Sequence, residues 1–467
     1  MATTGFAAPD VPSEDVLSTC VQCGLCLPHC PTYRELYVET SSPRGRIHLI
    51  RQVADGRIAV DSALFREQMY QCLDCRACEA VCPSGVQYGQ LVETARTQIE
   101  RAAPGSLGAR LARRLAFDGL FASMPRFRAF AALLRLYQRS GLQALARASG
   151  ALRLFGLVER ERMLPPIDRS FLVPAGQTWQ SEGPARRRVA LFAGCVMSTA
   201  YAEIDRATAR VLAANGCEVV VPAGQGCCGA LHVHAGLLDD GRTLMRRNVE
   251  AFEKLDVDAI VVNAAGCGAA LKEYGHLLAD AAAYADRAVV VAGRVRDVAE
   301  YLAEIGITLP AGATPDKPGE TASATSEASH PLPAERTVTY QEPCHLVHAP
   351  RVKAAPRQVL AAVPGLRLVE MAESDLCCGS AGIYNLTHPE LSGALRRRKV
   401  ANVIATGAEV VVSANPGCML QLQAGLAEAG SPVIVRHVVE VLDDAYRAAG
   451  AAESASPPPA GPPASAG

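Results

Sequence analysis

Cys20-Val-Gln-Cys23-Gly-Leu-Cys26-Leu-Pro-His-Cys30-Pro31 is matched later in the chain by Cys72-Leu-Asp-Cys75-Arg-Ala-Cys78-Glu-Ala-Val-Cys82-Pro83. Both runs read C-x2-C-x2-C-x3-C-P. Three thiols at two-residue gaps wrap one face of a compact centre, and the fourth, one residue further on, points away from it. Neither run lacks a member. Met1 to Pro12 carries no basic stretch followed by an apolar segment, so a cytoplasmic chain is expected, in which thiols stay reduced and disulfides are rare. The 17 cysteines therefore call for another use.

This spacing fits two [4Fe–4S] clusters, because in paired-cluster sites of this kind the last cysteine ligates the other cluster. Cys20, Cys23, Cys26 and Cys82 are expected to hold the first cluster, and Cys72, Cys75, Cys78 and Cys30 the second. Structural zinc is the alternative. Four thiolates per zinc, however, explain neither the third two-residue step nor the repeated Cys-Pro. With no ligand missing, no iron is left open to substrate, so the segment is expected to relay electrons and to hold no catalytic residue. Between the runs, Ser42-Pro43-Arg44-Gly45-Arg46 predicts either a basic turn opening a helix over Ile47 to Val53 or a solvated loop.

Working outward, 467 residues allow two to four domains. An apolar share of 49% with 20% charged residues excludes a disordered chain, and 46 basic against 47 acidic residues argues against nucleic acid as a partner. No run approaches the ~18–20 apolar residues of a spanning helix. From Arg101 to Arg162, apolar residues at three- and four-residue steps predict helices. This stretch holds twelve arginines, no lysine and only three acids, Asp118, Glu159 and Glu161. Such a segment can lie on an anionic membrane surface, dock an acidic partner or serve as a solvated connector. Pro174 to Arg188 reads as a linker, Pro310 to Glu335 as a flexible insertion, and Ala451 to Gly467 as a disordered tail.

Eight further cysteines belong to a duplication. Cys195 matches Cys344, Cys227-Cys228-Gly229 matches Cys377-Cys378-Gly379, and Cys267 matches Cys418, at offsets of 149 to 151 residues. Apolar β-like runs precede Cys195, Cys267, Cys344 and Cys418, and helical stretches such as Ala202–Asn215 and Pro356–Ala362 lie between them. This alternation predicts two α/β lobes with mainly parallel strands, whose cysteines gather where the loops after the strands converge. Four thiols per lobe suffice for one more cluster each. Zinc and a redox dithiol remain alternatives. Cys217 has no counterpart and is expected to be a buried thiol. His232, His234, His345 and His348 stand near the cysteine motifs, as polar loop residues or as donors to sulfur or to a quinone.

Together these features give an α/β fold class with an N-terminal α-helical bis-[4Fe–4S] ferredoxin-like domain over 1–100. A basic helical connector over 101–175, a first Cys-Cys-Gly lobe over 186–308, a linker over 310–335, a second lobe over 336–448 and a tail over 449–467 complete it. The tandem cluster runs, the element Ser42-Pro-Arg-Gly-Arg-Ile47 and the two Cys-Cys-Gly lobes resemble, from Val16 to Ala448, the iron–sulfur subunits of bacterial glycolate oxidase. The paired lobes alone resemble a broader family that includes heterodisulfide reductase catalytic subunits and the anchor-type subunit of anaerobic glycerol-3-phosphate dehydrogenase. The resemblance implies a complex whose flavoprotein subunits oxidise glycolate, with this chain passing electrons toward a quinone or other respiratory acceptor at the inner face of the cytoplasmic membrane. No phosphate-cradling glycine fingerprint is evident, so flavin is expected only in the partner subunits. A stand-alone heterodisulfide or quinone reductase and a glycerol-3-phosphate dehydrogenase subunit are the alternatives. Ala264 and Asn415 stand where the disulfide-reductase relatives carry a fifth thiol in each lobe. That departure counts against a five-cysteine cluster and against disulfide cleavage.

Overall fold

The computed structural model describes residues 5–103, 105–309 and 336–455. The insertion expected over 310–335 and the tail beyond Ala455 lie outside them; the first residues of that tail continue the helix Val438–Ala455. The N-terminal unit is helical. Pro43–Ala54, Ala63–Gln71 and Tyr88–Ala102 pack around Ile50, Val53, Phe65, Met69, Leu91, Val92 and Ile99, and the cysteine runs occupy the turns between them. The first of these helices starts four residues before the predicted Ile47. Ser42 caps it by accepting the Gly45 N–H at 3.0 Å, and Pro43 takes the first helical position, where its missing N–H is not needed. The basic turn is thus the helix's own first turn.

The connector is helical as expected, over Leu107–Arg114, a wider helical turn Leu115–Phe121, Met124–Arg139, Leu142–Ala148, Ala151–Leu154 and Val158–Arg162. The first lobe then contributes β1 (Gln177–Trp179), β2 (Arg187–Phe192), β3 (Cys217–Val221), β4 (Ala259–Val262) and β5 (Val295–Asp297). The second contributes β6 (Arg336–Tyr340), β7 (Leu366–Leu368), β8 (Val410–Ser413) and β9 (Ile434–His437). The sheet orders are β1-β3-β2-β4-β5 and β7-β6-β8-β9. Without β1 the two are the same parallel arrangement, with Val189 opposite Val219 and Ala259, and Val338 opposite Leu368 and Val410. β1 is the addition: part of the stretch read as a linker folds back antiparallel along β3.

Both faces of each sheet are covered, which explains why the strands read as unbroken apolar runs. Along β2, Val189 and Leu191 enter one buried layer while Ala190 and Phe192 enter the other. The lobes share a core in which helix Ala202–Ala214 lies against Val438–Ala455, joined at its edge by Arg210 and Asp443 at 2.7 Å. Cys217 is buried in that shared core. The Ala265 N–H donates to the Ala414 carbonyl at 3.0 Å, so the C-terminal edges of the two sheets adjoin. Among the described residues no helix is long and apolar enough to cross a membrane.

Candidate functional site

The two N-terminal runs fold alike. Gln22 and Gly24 in one, and Asp74 and Arg76 in the other, hold left-handed backbone at the same motif positions, curling each loop around its own sulfurs. Two small cavities result. One is lined by Cys20, Cys23, Cys26 and Cys82, the other by Cys30, Cys72 and Cys75, while Cys78, Pro43 and Tyr88 form a wall common to both. Each cavity therefore gathers three thiols of one run and the last thiol of the other.

Donors aim at these sulfurs. The Asp74 N–H reaches Cys72 Sγ at 3.3 Å, the Tyr88 hydroxyl reaches it at 3.5 Å, and Thr32 Oγ1 lies 3.2 Å from Cys30 Sγ. Burial pushes the Cys26 thiol up to about 11, and the Cys75 and Cys78 thiols well above their ordinary value. Thiols that cannot ionise alone, set in convergent groups with hydrogen-bond donors, fit a centre that supplies its own positive iron. The basic element between the runs serves both cavities. Arg44 donates to the Gln22 carbonyl at 3.1 Å and pairs with Glu39 beside the first. Arg46, only 1% exposed, lines the second, donating to the Gln68 carbonyl at 2.7 Å and to Thr32 Oγ1 at 3.1 Å. Burial works against the Arg46 charge, but Tyr88, Cys72 and Cys30 outweigh it.

In the lobes the cysteines follow the C-terminal ends of the parallel strands, the edge at which such sheets hold ligands. Cys344 and Cys377 bring their sulfurs to 4.0 Å, and Cys378 and Cys418 to 3.4 Å. In the first lobe Cys195 pairs with Cys227, and Cys228 with Cys267. Gly229 and Gly379 must be glycine: both are left-handed, and a Cβ at Gly379 would come within 2.8 Å of the Ser392 carbonyl oxygen. Within each buried group some thiols donate to others. This mutual hydrogen bonding splits the group: Cys227, Cys344 and Cys378 fall well below the ordinary thiol value, while Cys195, Cys228, Cys377 and Cys418 rise well above it. A metal or cluster fits both groups. No Cys–Cys bond is present among them.

The surroundings of the two lobes differ. In the first, Cys195 and Cys227 pack against Phe127 and Leu244, with Phe121 and Met124 of the connector closing over them. In the second, Cys344 and Cys377 pack directly on Leu73, Cys75 and Ala77 of the cluster unit, with Tyr384 and Leu395. Beside that contact lies a three-way ionic junction. Arg76 bonds Asp74 at 3.1 Å, Glu93 at 3.2 Å and Glu273 at 3.2 Å, and His234 Nδ1 lies 3.1 Å from Asp74. Burial disfavours charge on His234, but Asp74 and Glu93 hold it up at about 9. Burial also drives Glu273 up to about 7. The His234 ring stands 5.3 Å from that of His345, whose Nδ1 is 3.6 Å from Cys344 Sγ. His348 bonds the Asp375 carbonyl at 3.0 Å, and His232 sits beside Cys227.

The sequence brings out the sixteen cysteines and the basic element that holds Arg46, but not that Arg46 lines the second cavity, nor the Arg76 junction or Lys399. Lys399, 1% exposed, carries its ammonium beneath the second-lobe thiols and donates to the Ser374 carbonyl at 3.1 Å. The one signal for it in the sequence was the paired segments Arg246-Arg247-Asn248-Val249 and Arg397-Arg398-Lys399-Val400, which place Asn248 at the same point in the first lobe.

Comparison with known proteins gives the family to which these segments belong. The model of the 4Fe-4S dicluster domain matches residues 16–86, that of the cysteine-rich domain matches 189–272 and 338–423, and that of the glycolate oxidase iron–sulfur subunit linker region matches 108–164. The probable glycolate oxidase iron–sulfur subunit of Bacillus subtilis is 42% identical over 438 residues, 92% of this chain and 94% of the relative. The glycolate oxidase iron–sulfur subunit of Escherichia coli is 34% identical over 438 residues, 93% and 95% respectively. One chain of the CoM/CoB fumarate reductase from Methanothermobacter marburgensis is 27% identical over 438 residues, 92% of this chain and 72% of the relative. Multiple iron–sulfur clusters are thus this chain's cofactors.

Proposed function

We propose, from the premise that this chain belongs to the family of glycolate oxidase iron–sulfur subunits, that it carries electrons from a flavoprotein partner oxidising glycolate toward a quinone. Cys20, Cys23, Cys26 and Cys82 hold one [4Fe–4S] cluster, Cys72, Cys75, Cys78 and Cys30 hold the other, and each lobe's four thiols hold a further centre. Bound clusters supply one-electron steps, into which the two-electron oxidation of a flavin must be divided. The chain's own residues set the order. Cys23 is exposed and ringed by exposed Val21 and Leu25, which suits entry from a partner. The second cavity is shielded behind the shared wall, and Cys75 hands on to the second lobe. Arg46 and the Tyr88, Thr32 and Asp74 donors stabilise negative charge on the sulfurs as an electron arrives.

The observation that carries this reading is the unbroken succession of the first cavity, the second cavity and the second-lobe thiols, in contact through Cys78 and then Cys75. Cys75→Ser tests it in the assembled complex. Quinone reduction should fall while glycolate still reduces the flavin. Equal loss of both steps in an intact complex would overturn the relay.

A further inference from the structure

A cleft of about 870 Å³, its open mouth included, lies where four parts of the chain meet. The cluster unit gives it Arg66, Tyr70, Cys72, Leu73 and Arg96; the connector gives Arg113 and Phe117; the first lobe gives Leu231 and His234; and the second lobe gives the loop Ala381–Tyr384 with Thr387 and His388. Cys72, a second-cavity thiol, thus forms part of its wall. Tyr384, another wall residue, packs in the same buried group as Cys75, Cys344 and Cys377. A molecule in the cleft therefore sits beside two centres at once. That is the arrangement a two-electron acceptor needs when its electrons arrive singly.

The remaining wall specifies the chemistry. It is aromatic and mainly apolar, with His388 stacked on Tyr384 at 4.5 Å and 13°, and Arg96 lying 5.5 Å over the Tyr70 ring. Flat rings pack well on such surfaces. The polar groups are largely engaged with one another or with the backbone. Tyr70 donates to Glu100 at 2.6 Å, Arg66 pairs with Glu100 at 3.1 Å, and Arg96 is spent on backbone carbonyls including that of His234 at 3.0 Å. Arg66 and Arg113 share the one carboxylate of the wall, Glu100, so these guanidinium groups are already engaged. Exposed Thr387, its Oγ1 2.9 Å from Nδ1 of half-buried His388, stands at the rim, where a carbonyl could be met. Outside, the connector helix that supplies Arg113 also carries the exposed Leu107 and Leu111, followed by Leu115. The helix thereby offers exposed apolar surface to a ligand's tail.

We infer that this cleft is the site at which a lipophilic quinone is bound and reduced, an inference that rests on the relay reading above. One quinone takes two electrons, delivered one at a time from the adjoining iron–sulfur centres, and two protons from water at the mouth. It leaves as the hydroquinone, with its two C=O groups converted to C–OH and the centres reoxidised. The electrons derive from reduced flavin in the partner.

Decylubiquinone binding to the anaerobically purified, cluster-loaded chain tests the inference by equilibrium dialysis, a readout independent of turnover. Thr387→Trp plugs the exposed rim, and His388→Ala removes the stacked ring. Each should weaken binding about tenfold or more, with the iron and sulfide content of the wild type retained. An azido-quinone photolabel should mark the peptide spanning 381–388. Unchanged affinity in both variants, or label confined to another segment, would overturn the site. So would failure of decylubiquinone to bind a dithionite-reduced chain that ferricyanide reoxidises, and in that case the relay would stand. If neither acceptor reoxidises the chain, the relay itself falls, and the site with it.

Discussion

The two lobes are copies in strand order and cysteine placement, yet their thiol groups face different neighbours. The first lobe's group is sealed beneath Phe127, Phe121 and Met124 of the connector, whereas the second lobe's lies against Cys75 and Leu73 of the cluster unit. The residue beneath the thiols differs too. Asn248 is neutral, donating to the Cys227 carbonyl at 2.9 Å, while its counterpart Lys399 brings a buried cation. Duplication thus gave two similar pockets, and packing placed one of them against Cys75 of the cluster unit. On the proposed relay, the second-lobe thiols adjoin both Cys75 and the cleft wall at Tyr384, whereas the first-lobe thiols lie under the connector.

The largest expected effect separates the lobes outright. Cys377→Ser should cut quinone reduction by more than the roughly 10–100-fold that loss of an outer-shell partner costs at a metal centre, whereas Cys227→Ser should cost less than about tenfold. Steady-state assays on the assembled complex, with iron content checked, decide between them; equal losses would break the comparison. Folding should distinguish the lobes next. Gly379→Ala forces a left-handed alanine and a Cβ 2.8 Å from a carbonyl oxygen, and should destabilise by about 3 kcal/mol. Gly229→Ala meets its nearest atom at 3.1 Å and should cost about 1–2 kcal/mol, both read from thermal melting.

Electrostatics gives a smaller signal. Lys399→Asn, which copies the first lobe, should lower the midpoint potential of the second-lobe centre by on the order of tens of millivolts in an EPR-monitored redox titration. An unmoved potential would show that the ammonium does not act on the sulfurs. The smallest effect concerns docking. Glu373 joins the second lobe to the cluster unit, with Arg398 and then Arg34 holding its carboxyl at about 2. Because that value lies below the ordinary 4.5, its contribution is present above about pH 4.5 and is lost as pH falls toward 2. Glu373→Gln should therefore cost about 1 kcal/mol near neutrality, and the gap from wild type should close in acid. A gap that widens on acidification would contradict the assignment.

Much of this was legible in the sequence because it is written in local spacing. The cysteine runs, the duplication at 149–151 residues and the parallel α/β lobes all rest on short-range patterns. The start of helix Pro43–Ala54 was equally local, since Ser42-Pro43 is a cap followed by a first-turn proline, although a turn was the expectation. β1 escaped because Gln177–Trp179 sits among Pro and Gly, and its partner is β3. The junctions could not be read at all. Asp74 meets His234, and Cys75 meets Cys344, across long stretches of chain, and no periodicity encodes which lobe docks on which cluster. Likewise the connector's helices were foreseeable, but not that Phe127 would cover a thiol group.

The direct test of the second lobe's part in the relay is rapid-freeze EPR of the dithionite-reduced chain mixed with decylubiquinone. The N-terminal [4Fe–4S] signals should vanish in Cys227→Ser as fast as in the wild type, and more slowly in Cys377→Ser, where one of the two centres beside the cleft is lost. Persistence in Cys227→Ser with prompt loss in Cys377→Ser would contradict the account.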